Sequence, residues 1–248
     1  MTIKKKWFQS WFDTSYYHIL YKHRNDKEAQ KFIKNLVQYL DIGSDQDILD
    51  LACGKGRHSV FLNQLGFKVT GVDLSRKNIL QARANSNARL NFKIHDMRTP
   101  MELQFDLILN MFTSFGYFEN QEDDVKVLTS IRDGLNSQGV AVIDFMNIHN
   151  VLERLVLEEK IYLDGIDFDI HRFYDGNFIR KSIKVTDAKK GYDFEECVRA
   201  YTLEDFKTLL SANGLELLEY FGSYSLEAFD KKLSSRLILI FKKAAGFY

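Results

Sequence analysis

The residues best placed to do chemistry lie close together in the first third of the chain. Asp50-Leu-Ala-Cys-Gly-Lys-Gly56 ends an apolar run that begins at Ile48, and Val69-Thr-Gly-Val-Asp73 follows it. A strand ending in Gly-x-Gly presents bare backbone to a ligand, because glycine has no side chain in the way and tolerates unusual φ/ψ. A helix that opens there turns free N–H groups toward a polar or anionic group. Asp73 stands twenty-three residues beyond Asp50 and closes the second strand, where a carboxylate accepts both hydroxyls of a ribose. A glycine turn alone is weak evidence of function. Paired with an acid at the end of the next strand, it points to a nucleoside-bearing cofactor.

Two cofactors fit such a site, a nicotinamide dinucleotide and S-adenosylmethionine. A diphosphate calls for a third small residue of Gly-x-Gly-x-x-Gly, and Ser59 occupies that place. Asp50 precedes the glycines, close to where a diphosphate would sit. A carboxylate there disfavours an anion and suits the ammonium of a methionine moiety.

Asp50-Leu-Ala-Cys-Gly-Lys-Gly56 followed by Gly71-Val-Asp-Leu-Ser75 resembles the first two motifs of the class I S-adenosylmethionine-dependent methyltransferases. His95-Asp96-Met97-Arg98 resembles the segment after the third strand that holds the adenine amino group. Phe105-Asp-Leu-Ile-Leu-Asn-Met-Phe-Thr-Ser-Phe-Gly-Tyr117 resembles the fourth-strand motif of small-molecule members, the methyltransferase-domain-25-like branch. The resemblance runs from about residue 15 to 145, and the last helix and strands (202–241) fit its order. It implies that Ala52, Gly54 and Gly56 lie along the methionine part of the cofactor. Asp73 would bind ribose, Leu74 touch adenine, Asp96 and Met97 read its edge, and Asn110 face the methionine amino group. Tyr16-Tyr-His-Ile-Leu-Tyr-Lys-His-Arg24 is similar to the Tyr-rich N-terminal helix that closes over the site in methyltransferases acting on amines and aminosugars. The same resemblance sets Tyr17 near the transferred methyl and Arg24 on the cofactor carboxylate.

Other residues admit two readings. Aromatics three and four apart (Tyr17, Tyr21) suit a core as well as an active site. His149 follows the fifth strand at the carboxyl end of the sheet, where ligands sit in such folds, so it joins Tyr17 as a catalytic candidate. His58 falls on the first turn after the glycines and serves either packing or the cofactor, while Cys53 reads as a small space-filling residue. Asp167, Arg172, Glu195 and Arg199 alternate like exposed strand faces, and Arg236 before the last strand is open to either reading.

The elements that must position these residues alternate in type. Residues 7–24 carry aromatics at helical spacings, and 27–40 form an amphipathic helix. Strands follow at 48–51, 67–72, 90–94, 105–110 and 139–145, separated by helices at 60–65, 75–84 and 123–135, which implies a doubly wound parallel sheet. Ser75 is placed to cap the second of those helices. The rhythm then changes. Segments 161–163, 167–174, 178–186 and 194–201 are separated by turn signals at Asp164-Gly165, Asp175-Gly176-Asn177 and Lys190-Gly191, an antiparallel meander. Thr202-Leu-Glu-Asp205 is a capping box for a helix ending at Asn213-Gly214, and strands 215–220 and 236–241 close the chain. The expected fold is one Rossmann-like α/β domain over residues 1–248: a doubly wound seven-stranded sheet, its final strand antiparallel. An N-terminal helical cap (1–40) lies over the cofactor, and an antiparallel β insertion (151–200) serves substrate selection, dimer contacts or both.

The bulk composition narrows the partners. Lys+Arg and Asp+Glu both number 34, so the chain has no net charge, which disfavours a long nucleic acid as substrate. The first 35 residues carry eight basic and three acidic residues, read as a solvated helix face. The two cysteines are far apart without metal-ligand spacing, so no metal is expected and a reducing cytoplasm fits. No apolar stretch of about 18 residues exists to span a bilayer. The expected activity is methyl transfer from S-adenosyl-L-methionine to an N or O atom of a small molecule, with a homodimer as one option. A nicotinamide-dependent oxidoreductase and a non-catalytic cofactor-sensing module are the alternatives.

Overall fold

Residues 7–22 and 26–246 are described by the computed structural model. Two short helices, α1 (Trp7–Trp11) and α2 (Ser15–Leu20), precede α3 (Asp26–Tyr39). The doubly wound part then runs β1 (Asp47–Leu51), α4 (Arg57–Gln64), β2 (Lys68–Asp73), α5 (Arg76–Ala82), β3 (Leu90–Ile94), β4 (Phe105–Asn110), α6 (Gln121–Gly134) and β5 (Leu135–Met146). After α7 (Ile148–Glu153) come β6 (Glu158–Leu163), β7 (Ile166–Tyr174), β8 (Phe178–Asp187) and β9 (Lys190–Arg199). The chain ends with α8 (Leu203–Ala212), β10 (Leu215–Phe221) and β11 (Arg236–Lys243).

The main sheet has seven strands in the order β10-β11-β5-β4-β1-β2-β3. β1 through β5 are mutually parallel, and β11 runs antiparallel to both β5 and β10. Its central strands are near-continuous apolar runs because both faces are covered. Successive residues divide between two cores. Leu49, Ile108, Ile143 and Leu239 pack with α6 and α8, whereas Ile48, Leu107, Val142 and Ile240 pack with α3, α4 and α5. Ser75 caps α5 by accepting from the Asn78 N–H at 3.0 Å, and Thr202 with Asp205 forms the reciprocal capping box of α8.

The insertion is a separate four-stranded meander, β6-β7-β8-β9. Asp164 and Gly165, both at positive φ, make the tight turn between its first two strands. The last hairpin turns at Ala188 and Lys189 (φ 46° and 67°) rather than at Lys190-Gly191. Pairing of Asp187 with Lys190 fixes that register and overrides the glycine signal, at a cost of about 1–2 kcal/mol per left-handed residue. Ile166, Phe168, Ile170, Ile183 and Val185 present one apolar face of this sheet, and Trp11 and Leu20 pack against it. Tyr16 donates to Asp187 at 3.0 Å and Lys22 pairs with Asp164 at 3.0 Å at its rim. The N-terminal helices and the insertion therefore form one layer, and Asp13 ties it to the main domain by accepting from the Ser75 hydroxyl at the head of α5.

Candidate active site

The turn after β1 takes its shape from three left-handed residues, Ala52, Gly54 and Gly56 (φ 66°, 57° and 79°). The two glycines have different reasons to be there. A Cβ on Gly56 would lie 2.5 Å from Phe92 Cε1, whereas one on Gly54 would meet nothing within 4 Å. Gly56 lets the turn pack against the domain; Gly54 leaves backbone open to the space above. Asp73 locks the turn to β2: its Oδ2 accepts from the Gly54 N–H at 2.9 Å and its Oδ1 from the Ser75 N–H at 2.7 Å. Burial raises its pKa, and these two backbone donors work the other way.

Above this turn is a cavity of about 980 Å³. One wall is made of Leu51–Lys55, Asp73–Ser75 and Asp96–Met97, at the carboxyl ends of β1, β2 and β3. The rest of the lining includes Trp7, Phe12, Tyr17 and Tyr21 from the N-terminal helices and the turns after them, Tyr117 from the loop after β4, and Glu196 and Val198 from β9. Among the described residues, three buried polar atoms without a partner belong to this cavity: His18 Nε2, His58 Nε2 and Asn78 Oδ1. Buried polar atoms are ordinarily paired, so such orphans mark places where a ligand supplies the partner. A bare glycine backbone, a backbone-locked carboxylate and these orphans fit an adenosine-bearing cofactor.

The wall beyond β4 is strained. Phe112 and Thr113 both adopt φ 58°, unfavourable above all for the β-branched Thr113. Asp144, fully buried, holds them: its Oδ2 accepts from the Phe112 N–H at 2.8 Å and the Tyr224 hydroxyl at 3.1 Å. Its Oδ1 accepts from Arg236 Nε at 2.7 Å, and Arg236 Nη2 also donates to the Thr113 hydroxyl at 3.0 Å. Phe112 stacks on the His58 ring at 4.7 Å. Burial and Arg57 push the His58 pKa down to about 3, so this imidazole is neutral.

Comparison with known proteins gives this cavity its context. Residues 48–139 match the model of a methyltransferase domain. Over 184 residues the chain is 27% identical to YqeM of Bacillus subtilis, a candidate methyltransferase, covering 68% of this chain and 73% of YqeM. These matches identify a methyltransferase that uses S-adenosylmethionine, and its fold is that of class I. It is also 26% identical to a glycine/sarcosine N-methyltransferase of Aphanothece halophytica over 136 residues, 52% of this chain and half the length of that enzyme. The crystal structure of an S-adenosylmethionine-dependent methyltransferase from Clostridium acetobutylicum superposes with a TM-score of 0.78 and 21% identity, covering 93% of this chain and 96% of that one.

The cavity of this methyltransferase gathers many of the residues expected from sequence. Tyr17, Ala52, Gly54, Asp73, Leu74, Asp96 and Met97 all line it. Asp96 is engaged by Arg98, whose Nε donates to it at 3.0 Å. Three others stand behind the wall. Asp50 is buried, accepts from the Ser59 hydroxyl at 2.6 Å and does not line the cavity. Burial pushes its pKa up to about 6. Gly56 packs on Phe92, and Asn110 donates to the Leu51 carbonyl at 3.1 Å, leaving its buried Oδ1 unpaired. Arg24 lies outside the described residues. His149 is on α7 and does not line the cavity. Cys53 does line it, and burial together with the nearby Asp50 and Asp73 drives its thiol pKa far up.

Sequence reasoning missed Glu196, Tyr117 and the Asp144–Tyr224 pair. The nearest signal was in β9, where Phe194, Glu196 and Val198 share a face, which makes Glu196 an acid at an inward position.

Proposed function

We propose that this methyltransferase acts on a nitrogen or oxygen atom of a small molecule held under the layer of N-terminal helices and insertion. The observation that carries this reading is the cavity itself, whose lining includes side chains from two remote segments. Its size is at the top of the range of about 300–1,000 Å³ typical of small-molecule sites, room for an acceptor beside a cofactor. The glycine/sarcosine N-methyltransferase relative supports nitrogen as the acceptor atom.

S-adenosylmethionine supplies an electrophilic methyl on a positively charged sulfur. The chain's own residues bind, orient and exclude water, which are the main demands of an in-line displacement. In this reading Asp73 accepts the ribose hydroxyls, Leu74 and Met97 flank the adenine, and Ala52 and Gly54 run along the methionine portion. Asp50, Gly56 and Asn110 support the turn from behind. Tyr17 stands on the acceptor side, and the insertion acts as the substrate lid. Incubation with S-adenosylmethionine and matched amines, alcohols and phenols, read as S-adenosylhomocysteine release, tests the assignment. Turnover with at least one small amine is expected. Turnover only with RNA or protein acceptors would overturn the small-molecule reading.

A further inference from the structure

The lid wall of the cavity carries a group that methyl transfer does not by itself require. Glu196 is an acid on the inward face of β9, between Phe194 and Val198, with its side chain 17% exposed. Three groups fix its carboxylate. Oε1 accepts from Trp11 Nε1 at 2.6 Å and from the Tyr21 hydroxyl at 2.7 Å, and Oε2 lies 3.5 Å from Lys181 Nζ. Lys181 is its direct cross-strand partner on β8. Trp11 is fully buried and holds the carboxylate from behind, while Glu196 itself faces the cavity.

Tyr21, which holds this carboxylate, begins a row of aromatic rings along the same cavity. Tyr17 lies 5.0 Å from Tyr21 and 4.9 Å from Phe12, and Phe12 lies 5.6 Å from Tyr117, centroid to centroid. All four line the same cavity. A carboxylate at the end of a row of negative π-faces favours a cation over an anion, and Lys181, whose Nζ lies 4.7 Å from the Tyr21 ring centroid, is a cation already held there. The other acids of the cavity have different partners: Asp13 has Ser75, Asp73 the glycine turn and Asp96 the guanidinium of Arg98, while Glu28 is on the exposed surface of α3. If this pair only stapled lid to helices, two apolar residues would serve as well, because a buried ion pair contributes little net stability.

We propose that Glu196, with the rings of Phe12, Tyr17, Tyr21 and Tyr117, is the recognition site for the acceptor, which enters as an organic ammonium. The proposal rests on the small-molecule methyltransferase reading and narrows its substrates to amines that bind as cations and release one N–H proton to water before the freed nitrogen lone pair attacks the methyl. Glu196 acts as a specificity-determining residue through its charge.

Benzylammonium, benzyl alcohol and benzoate share a ring and differ in charge, which makes them suitable probes. Each is titrated by calorimetry into the full chain saturated with S-adenosylhomocysteine. Benzylammonium is expected to bind at least about tenfold tighter than benzyl alcohol, with benzoate weakest. Glu196→Gln should bring the ammonium and the alcohol within about threefold of each other and leave S-adenosylhomocysteine affinity unchanged. Glu196→Asp should keep part of the preference. Equal binding of ammonium and alcohol by the wild type, preference for benzoate, absence of binding of all three at millimolar concentration, or a preference that survives in Glu196→Gln would each overturn the proposal. Should Glu196→Gln not fold, the wild-type charge series and Glu196→Asp still decide. Failure of S-adenosylhomocysteine to bind would instead count against the methyltransferase reading, and the same charge series on the unsaturated protein would still test the ammonium site.

Discussion

The two main walls of the cavity are built on different principles. The wall at the carboxyl edge of the sheet is made largely of backbone: a turn with three left-handed residues, and a carboxylate clamped by two main-chain N–H groups. The lid wall is made of side chains, with rings from α1, α2 and the loop after β4 set around Glu196. A backbone site is a poor discriminator among acceptors but a rigid one, suited to a ligand that never changes. A side-chain wall can be altered one residue at a time without disturbing the sheet, and so suits the partner that varies between relatives.

The largest effect that would test this contrast falls on the glycine turn. Gly56→Ala places a Cβ against Phe92 in a left-handed conformation, and a loss of about 2–4 kcal/mol in folding stability is expected by denaturant titration. Gly54→Ala meets open space, so its stability loss stays near 1 kcal/mol while cofactor affinity falls. Equal stability losses would mean that the two glycines do not divide support and contact between them. Next in size, Asp73→Ala should weaken S-adenosylhomocysteine binding by about 1–3 kcal/mol in calorimetry. Unchanged affinity would remove the ribose role.

A smaller effect concerns the buried support of the turn. Burial raises the Asp50 pKa to about 6 in the folded protein, above its ordinary value of 3.8. The folded state holds that proton more tightly than the unfolded chain. The contribution to stability is therefore full below about pH 4 and lost as pH rises through about 6. Asp50→Asn should flatten this trend by about 1 kcal/mol between pH 5 and pH 8, read by denaturation at both values. An unaltered slope would show that Asp50 is ionised in its pocket throughout.

The same contrast explains which parts could be read from the chain. The glycine turn and Asp73 were legible because backbone sites need particular residues at fixed spacings. The alternating strands, the Ser75 cap and the Thr202–Asp205 capping box were legible for the same local reasons. Asp50 was assigned to the ligand side because its place in the motif says nothing of Ser59 behind it, which claims the carboxylate. Glu196 went unnoticed among the many acids of the meander, and its neighbour Glu195 was considered instead. The partners that give Glu196 meaning, Trp11 and Tyr21, are 185 and 175 residues away and meet it only through packing of α1 and α2 on the insertion. The last hairpin shows the limit in reverse: Gly191 advertised a turn, and strand pairing placed it at Ala188-Lys189. His149 sits at the right end of the sheet by topology, yet α7 carries it off the cavity wall.

The central claim is that the backbone-built wall holds S-adenosylmethionine. Calorimetric titration of S-adenosylmethionine into the wild-type chain, repeated with NADH, tests it most directly. Saturable one-to-one binding of S-adenosylmethionine below about 1 mM is expected, and none of NADH. Binding of NADH in its place, or no binding of S-adenosylmethionine to a protein with an intact fold, would contradict it.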